Sequence, residues 1–294
     1  EQMQSGDGGS RIYSCGYAGK APKGKKRMNN LNGKIALITG NSRGIGPLIS
    51  SVLAKEGAII VGVARSEGGL IKTEKMIQNT GGTCYSIPWN LADTSTFEAL
   101  IETVRETAGE IDILINNAGI EKYNTFEHYA KDDIDSIIDL NLKAPMELVR
   151  LTLGRMKERG GHIVNIASLA GKKGVSLNNI YSASKAGVIM WTDGLRQDLR
   201  GTKVNVSVIC PGFVSEAGMY HDAGVKPPFL LGSSKAEKVA SAVLKAIKKN
   251  KAQIIVNQGP MKPLLALDQI SPTLGDWVLK LFGVPKVSKK RLKN

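Results

Sequence analysis

The feature that most constrains how this chain can fold is its alternation of short apolar runs with longer amphipathic stretches. Each run is too short for a helix and nearly continuous in apolar residues, as strands buried on both faces of a sheet are. The stretches between the runs have the length of helices, and this alternation indicates an α/β fold with a parallel, doubly wound sheet. The predicted strands are 34–38, 58–64, 83–89, 111–115, 162–167 and 204–209, and the predicted helices are 47–56, 69–80, 94–107, 131–159 and 181–198.

A glycine-rich turn stands between the first predicted strand and the first predicted helix. Its sequence is Gly40-Asn41-Ser42-Arg43-Gly44-Ile45-Gly46, and Pro47 follows in the first helical turn. Glycines in such a turn allow a tight bend, a close approach of the backbone to a pyrophosphate, and close packing of helix on strand. The helix N-terminus then faces the phosphates. The turn therefore predicts a dinucleotide site that includes Gly40, Ser42, Arg43, Gly44, Ile45 and Gly46.

The end of the second predicted strand bears on the choice of dinucleotide. An acidic residue there binds the 2′-hydroxyl of the adenosine ribose, whereas a basic residue accepts a 2′-phosphate. In this chain the strand ends in Ala64-Arg65-Ser66, without an acid, and Ser42 and Arg43 lie in the nearby turn. This pattern favours NADP(H) over NAD(H). The alternative is that Arg65 is only a solvated loop residue.

Small and polar residues also follow the other predicted strands, where ligands of such sheets bind. Asn90 and Leu91 follow the third strand, Asn117 follows the fourth, Ser168 follows the fifth, and Pro211-Gly212 follow the sixth. Thirteen residues after Ser168 a helix opens with Tyr181, which shares a helix face with Lys185. A cation beside a phenol favours the phenolate and can make it a proton-exchanging group near neutral pH. The alternative is a tyrosine and a lysine on a solvated helix face.

Asn141 lies in the middle of the helix predicted over 131–159, where asparagine is unfavourable. Two explanations are compatible with an asparagine at this position. The side chain can simply face solvent, or it can mark a local distortion of the helix that serves a site.

Charge is concentrated at the two ends of the chain. The net charge is +14, of which residues 1–30 carry 6 − 2 = +4 and residues 261–294 carry 7 − 2 = +5. Basic ends can bind nucleic acid or anionic lipid, but little aromatic interleaving and no nucleic-acid motif accompany them, so nucleic acid is not favoured. The three cysteines have no disulfide or zinc spacing, which suits a reducing compartment.

The sequence also bears on localisation. No stretch is long and apolar enough to predict a transmembrane helix, and residues 1–30 lack the apolar centre of a secretory signal. We expect 1–30 to be a disordered basic segment or a tag, and the protein to be cytoplasmic. An organellar transit segment is the alternative.

Together, these motifs resemble the short-chain dehydrogenase/reductase family. The order and spacing of the family appear in Thr39-Gly40-x-x-x-Gly44-Ile45-Gly46, Asn116-Asn117-Ala118-Gly119, Asn141, Ser168, Tyr181-x-x-x-Lys185 and Pro211-Gly212, over about residues 32–257. The resemblance implies one Rossmann-type domain over 31–260, with a seven-stranded parallel sheet whose last strand is 252–256 and with helices on both faces. It also implies a nicotinamide cofactor and the interconversion of a carbonyl and a secondary alcohol. Among family members the chain is similar to the NADP(H)-preferring 3-oxoacyl and carbonyl reductases.

The resemblance further implies a role for each site residue. Tyr181 would donate a proton to the developing alkoxide, and Lys185 would lower the pKa of Tyr181 and hold the nicotinamide ribose. Ser168 would hydrogen-bond the substrate oxygen, and Asn141 would position a water that connects Lys185 to solvent. Besides Tyr181 and Lys185, the cofactor contacts implied for the family fall on Ala64, Arg65, Ser66, Asn90, Leu91, Asn117, Ala118, Gly119, Pro211, Gly212 and Val214. None of the three histidines, His128, His162 and His221, is expected to be catalytic, and all are expected at the surface or in loops.

Two positions depart from the family pattern. Asn90 replaces a common aspartate, although its carbonyl can still accept a hydrogen bond from adenine. Glu216 replaces a common threonine, which puts carboxamide anchoring at this position in doubt, and Ser215 is the expected substitute.

The substrate side of the chain is apolar. Segment 215–234 is expected to cover the substrate, and its apolar residues favour an apolar substrate or a carrier-bound acyl chain; packing among themselves is the alternative. Segment 261–294 is an extension in which apolar stretches precede a basic end. It can lie on an anionic membrane surface, over the substrate cleft or against a partner subunit.

We therefore predict an NADPH-dependent oxidoreductase that works as a homodimer or homotetramer. The alternative function is a catalytically silent NADP(H)-binding sensor or scaffold of the same fold, with membrane association as a further option.

Overall fold

The central element of the fold is a seven-stranded parallel sheet. The computed structural model describes residues 28–214 and 232–292. The strands are β1 (Ile35–Thr39), β2 (Ile59–Ala64), β3 (Cys84–Pro88), β4 (Ile113–Asn116), β5 (Gly161–Ile166), β6 (Val204–Pro211) and β7 (Gln253–Val256). Their order is β3-β2-β1-β4-β5-β6-β7, and every pairing is parallel. The predicted α/β fold, including its seventh strand, is confirmed.

Helices cover both faces of this sheet. They are α1 (Ile45–Ala54), α2 (Glu67–Gln78), α3 (Phe97–Ala108), α4 (Lys131–Ile138), α5 (Ala144–Arg159), α6 (Asn179–Asp198) and α7 (Ala236–Lys249). The alternation of side chains along β1 shows why the strands are apolar throughout. Ala36 and Ile38 join the core cluster under α1 and α7, whereas Ile35 and Leu37 join the cluster under α3 and α5.

The region predicted as one helix over 131–159 is helical throughout, but its hydrogen-bond pattern changes in the middle. A π-helical turn, Asp139–Lys143, separates α4 from α5 and contains the buried Asn141. Of the two explanations for Asn141, the local distortion is therefore the right one. Such π-helical turns often lie at functional sites.

His162 corrects a sequence-based expectation. It lies within β5, where the predicted strand 162–167 also places it, but it is fully buried rather than at the surface. Its Nε2 atom is 2.8 Å from Ser207 Oγ, so the hydroxyl on the neighbouring strand is the partner of that ring nitrogen. The surrounding run of apolar residues, rather than the histidine itself, determined its position. His128 is exposed as expected.

The C-terminal extension forms three short helices, α8 (Met261–Ile270), α9 (Pro272–Leu281) and α10 (Val284–Arg291). Ion pairs attach it to the body of the protein at two points. Lys173 Nζ lies 2.8 Å from Asp268 Oδ1 and 2.7 Å from Asp276 Oδ1, and Arg291 pairs with Glu121. Within the described parts of the chain, no helix combines the length and hydropathy that crossing a bilayer requires.

Candidate active site

A cavity of about 860 Å³ opens at the carboxyl ends of the central strands. All residues predicted for the site line it except Gly46 and Asn141. The glycine-rich turn, Arg65 and Asn90 form one end, and Ser168, Tyr181 and Lys185 form another part of the wall, together with Gly212. Residues 215–231, with Ser215, Glu216 and His221, are outside the described residues, so the expected cover of the cavity is described only from Gly232 onwards.

The glycine-rich turn has the conformation and packing that a dinucleotide cradle requires. Gly40 and Gly44 both have φ of 70°, a region that favours glycine. A Cβ on Gly40 would lie 2.9 Å from Ala118 Cα, and one on Gly46 would lie 2.3 Å from the Gly40 carbonyl oxygen. Gly46 therefore has a packing role under the turn. The turn leaves Ser42, Arg43 and Gly44 on the cavity wall at the N-terminus of α1, a geometry that fits a pyrophosphate.

Thr39 and Asn117 hold the turn against the loop after β4. Asn117 Nδ2 donates to the carbonyl oxygens of Thr39 and Gly40, at 2.9 and 3.2 Å. Thr39 Oγ1 accepts from the backbone N–H groups of Asn117 and Ala118, at 3.0 and 3.1 Å. The side chain of Asn117 therefore positions the backbone. Sequence reasoning placed Thr39 in the motif but missed this bracing role.

The adenosine end of the cavity is basic. Arg43 and Arg65 are both exposed and line it, and the described residues 40–45, 64–66 and 90–92 on its wall include no carboxylate. Ser66 caps α2, and its Oγ accepts from Gly69 N at 3.3 Å. Asn90 Oδ1 accepts from Ala92 N at 3.2 Å, so the atom expected to face adenine is engaged in its own loop. The two guanidinium groups are the feature here that suits a 2′-phosphate.

Tyr181, Lys185 and Ser168 lie around one point of the cavity. Tyr181 is in the first turns of α6, and Lys185 Nζ lies 5.7 Å from the centre of its ring. Lys185 Nζ donates to the carbonyl oxygen of Ile166 at 3.0 Å, which anchors the buried ammonium group at the end of β5. Ser168 lies two residues after the end of that strand, and its hydroxyl accepts from Ala170 N at 3.1 Å.

The protonation of this pair differs from the sequence-based expectation. Burial raises the pKa of Tyr181 above its ordinary value, and Glu121 raises it further, while the Ser168 hydroxyl lowers it. That Lys185 lowers the pKa of Tyr181 stays a prediction, but the net effect of the surroundings in the protein by itself is to raise this pKa. Burial also lowers the pKa of Lys185 to about 8, although the neighbouring Glu121 opposes this change. At neutral pH the phenol therefore holds its proton and can act as a donor.

Asn141 connects three parts of the site. Its Oδ1 accepts from Ile120 N at 2.8 Å, and its Nδ2 donates to Ile120 O at 2.8 Å and to Ser184 Oγ at 3.1 Å. The π-helical turn thus binds the loop after β4 to α6, one residue before Lys185. Both polar atoms of the side chain are occupied by protein groups, so bracing is the role that the geometry gives to Asn141.

Four residues of the site were not found by sequence reasoning. Glu121, Tyr123, Asn178 and Arg291 all line the cavity. Asn178 Nδ2 donates to Glu121 Oε2 at 3.0 Å, and Arg291 donates to Glu121 and to the hydroxyl of Tyr123. No local motif marks these residues, and Arg291 lies in a segment whose place over the cleft was only one of several alternatives.

A family model described as short chain dehydrogenase matches residues 34–226. The chain belongs to the short-chain dehydrogenase family. It is 51% identical over 273 residues to the ketoacyl reductase HetN of Nostoc sp., covering 91% of this chain and 95% of that protein. It is also 38% identical over 186 residues to the 3-oxoacyl-[acyl-carrier-protein] reductase FabG of Vibrio harveyi, covering 63% of this chain and 75% of that protein. The resemblance inferred from the motifs is confirmed.

Solved structures of this family have the same fold. A metagenomic short-chain oxidoreductase in complex with NADP is 30% identical, with a TM-score of 0.68 over 77% of this chain and 98% of that one. A short-chain dehydrogenase/reductase from Burkholderia phymatum in complex with NAD is 26% identical, with a TM-score of 0.76 over 84% of this chain and 96% of that one. Because the two neighbours hold different dinucleotides, fold alone does not select between NADP and NAD.

Proposed function

We propose that this short-chain dehydrogenase is an NADPH-dependent reductase that converts a carbonyl to a secondary alcohol. The observation that carries the proposal is the convergence of Ser168, Tyr181 and Lys185 on the cavity that also contains the glycine-rich turn and the two arginines. Arg43 and Arg65 would hold the 2′-phosphate, and the turn and the N-terminus of α1 would hold the pyrophosphate.

The chain's own residues supply the polar half of the reaction. Bound NADPH would supply the hydride. Tyr181 donates its proton to the oxygen that becomes an alkoxide, and Ser168 donates a hydrogen bond to the same oxygen as negative charge develops. The ammonium group of Lys185 stabilises the phenolate that Tyr181 leaves behind. Through its hydrogen bonds, Asn141 fixes the position of α6 relative to the loop after β4, so that these side chains stay close together in the cavity.

The walls of the cavity beyond these groups support an apolar or acyl substrate. Leu264 and Leu265 of α8 and Val278 and Leu279 of α9 line it. The relatives described as ketoacyl reductases favour a 3-oxoacyl compound. The test is NADPH oxidation, measured by absorbance, against β-ketoacyl thioesters, steroids and quinones. Turnover of a β-ketoacyl thioester is the expected result.

The rival function, a silent NADP(H)-binding sensor or scaffold, has no support among these relatives. The chain also retains Asn141, Ser168, Tyr181 and Lys185, the residues that the reductase mechanism would use. Tight NADPH binding without turnover of any carbonyl would nevertheless establish it.

Replacement of both Arg43 and Arg65 by Ala tests the choice of cofactor. We expect the KM for NADPH to rise about 10–100-fold, because a 2′-phosphate loses two charge-assisted partners. The KM for NADH, which lacks that phosphate, should change less than about threefold. Steady-state kinetics with both cofactors measures the difference. Equal changes for NADPH and NADH would contradict the assignment.

We also propose that the extension contacts an anionic membrane surface. It exposes Ile270 (80%), Trp277 (58%) and Leu281 (61%), and Lys280 of α9 and Lys286 of α10 are exposed as well. Apolar side chains beside lysines suit the boundary of an anionic bilayer. The double variant Ile270→Ser/Trp277→Ser should lose about tenfold in liposome co-sedimentation, whereas Phe126→Ser, an exposed aromatic elsewhere, should not. Equal binding of all three proteins would contradict membrane contact, and a change in oligomeric state instead would assign this face to a partner subunit.

The homodimer or homotetramer expected from the sequence stays a prediction. Helix α6 exposes Met190 on its outer side, which is consistent with an interface between helices of two subunits. Sedimentation velocity would measure the assembly.

A further inference from the structure

Arg291, the last residue of α10, buries its guanidinium group in the active-site cavity. Its side chain is only 7% exposed, although it comes from the basic end of the extension. Nη1 donates to the Tyr123 hydroxyl at 3.2 Å, and the guanidinium carbon lies 4.4 Å from the centre of the Tyr123 ring. Nη2 donates to Glu121 Oε1. Stacking and hydrogen bonding together fix this group in one position.

Glu121 is the reason why the position of Arg291 matters. Its carboxylate is 10% exposed and has two donors, Arg291 and Asn178 Nδ2. It also acts electrostatically on both members of the candidate proton-transfer pair, since its charge raises the pKa of Tyr181 and of Lys185. A buried carboxylate that lost its guanidinium partner would act on both groups more strongly, because little solvent screens it.

Other charged or titratable groups surround this pair, and Lys173 and Asp268, which pair with each other at 2.8 Å, line the same cavity. Tyr123, from the same loop as Glu121, adds to the rise of the Tyr181 pKa, whereas Ser168 and Arg291 lower it. Cys210, in β6, raises the pKa of Lys185, and Lys172 and Lys185 in turn lower the pKa of Cys210. Among the groups named as acting on the pKa of Tyr181, Arg291 is the member that comes from the C-terminal extension.

We propose that Arg291 is a positioning residue for catalysis, which compensates the charge of Glu121 and so links docking of the C-terminal helices to proton transfer at Tyr181. The inference rests on the proposed reductase function. With the extension docked, Glu121 favours the protonated form of Lys185 at neutral pH. Arg291 at the same time limits the rise that Glu121 causes in the pKa of Tyr181. With the extension displaced, both groups release their protons only at higher pH.

The test is a double-variant cycle on the full-length protein, measured as the pH dependence of kcat for alcohol oxidation with NADP⁺. Arg291→Met should shift the acidic limb of the pH–kcat profile to higher pH by about one unit. At pH values below that limb, oxidation should be about tenfold slower. Glu121→Gln should move the limb down. The double variant should return to within about threefold of wild type, because both charges are gone together. Arg105→Met, which breaks an exposed Arg–Glu pair on α3, is the matched control and should change neither value.

A structural role would give a different result. If Arg291→Met lowers kcat equally at all pH values and the double variant is no faster, the charge-compensation proposal is overturned. An Arg291→Met enzyme identical to wild type would overturn it equally. If Arg291→Met does not fold, Glu121→Gln alone decides, since an unmoved limb in that variant contradicts the electrostatic link.

A second readout needs no turnover, so it separates this proposal from the proposed function. The reactivity of the Lys185 amine toward a trace acylating reagent is followed by peptide mass spectrometry as the pH is raised. Its midpoint should lie near pH 8 in wild type, higher in Arg291→Met and lower in Glu121→Gln. Inactivity of wild type toward every carbonyl, combined with these shifts, would reject the reductase and keep the Glu121–Arg291 link. Equal midpoints for Lys185 in wild type and in both variants would reject the Glu121–Arg291 link, whether or not the enzyme is active.

Discussion

Replacing Tyr181 by Phe is expected to lower kcat for carbonyl reduction by about 10²–10⁴-fold, the usual contribution of a positioned general acid. In the proposed reaction the buried phenol beside Ser168 and Lys185 is the proton donor, and burial keeps it protonated at neutral pH. Phenylalanine retains the ring and its packing but has no proton to give. The affinity for NADPH should change little, because the turn and the arginines that would bind it are untouched.

Stopped-flow measurement of NADPH oxidation at saturating substrate gives the rate, and fluorescence titration gives the affinity for the cofactor. Tyr85→Phe, which removes a hydroxyl from an exposed position on β3, is the matched control and should behave as wild type. A Tyr181→Phe enzyme that kept more than about a tenth of the wild-type rate would exclude Tyr181 as the donor.

Replacing Lys185 by Met should have two opposite effects. Activity should fall about 10²-fold or more, because the phenolate of Tyr181 loses the cation that stabilises it. Stability at neutral pH should rise. The buried amine has a pKa of about 8 in the folded protein and 10.5 as its model value, so folding opposes its charged form. This penalty is about 3 kcal/mol when fully present, and Met avoids it.

The sign of the pH dependence follows from the same two values. Below about pH 8 both states of the wild-type chain carry the proton, and the penalty is complete. Between about pH 8 and 10.5 the unfolded chain binds more protons than the folded one, so wild-type stability rises with pH relative to the variant. Urea unfolding of both proteins at pH 7 and at about pH 10 measures the difference, which should narrow at the higher pH. If the difference in unfolding free energy between wild type and Lys185→Met does not change with pH, Lys185 is not a buried cation in the folded state.

The cofactor end of the site could be predicted closely from local sequence. The turn from Gly40 to Gly46 lies between a strand and a helix, so its conformation could be predicted from a few residues, and the alternation of apolar runs places the ends of the strands beside it. Tyr181 and Lys185 were found for the same reason, since four residues along one helix make them neighbours. In each case the relevant contacts are short in sequence.

The protonation of the site could not be predicted in this way. The spacing of Tyr181 and Lys185 indicated a lowered pKa for the tyrosine, but the pKa depends on burial and on charges from distant segments. Glu121 comes from the loop after β4 and Arg291 from the end of the chain. Desolvation of the phenol and the approach of a carboxylate raise the pKa, and neither can be seen in the spacing of two residues on a helix.

The amino-acid sequence alone was enough to determine the α/β class, the strands, the family and the position of the candidate catalytic residues, because periodicity and motif spacing record short-range geometry. Only the tertiary structure decided that Asn141 sits in a π-helical turn, that His162 is buried, and that the extension closes over the cleft. It alone brought Arg291 to Glu121, 170 residues away in sequence. The physical reason is that packing and desolvation depend on which segments meet in space, and no local pattern encodes a contact between side chains so far apart along the chain.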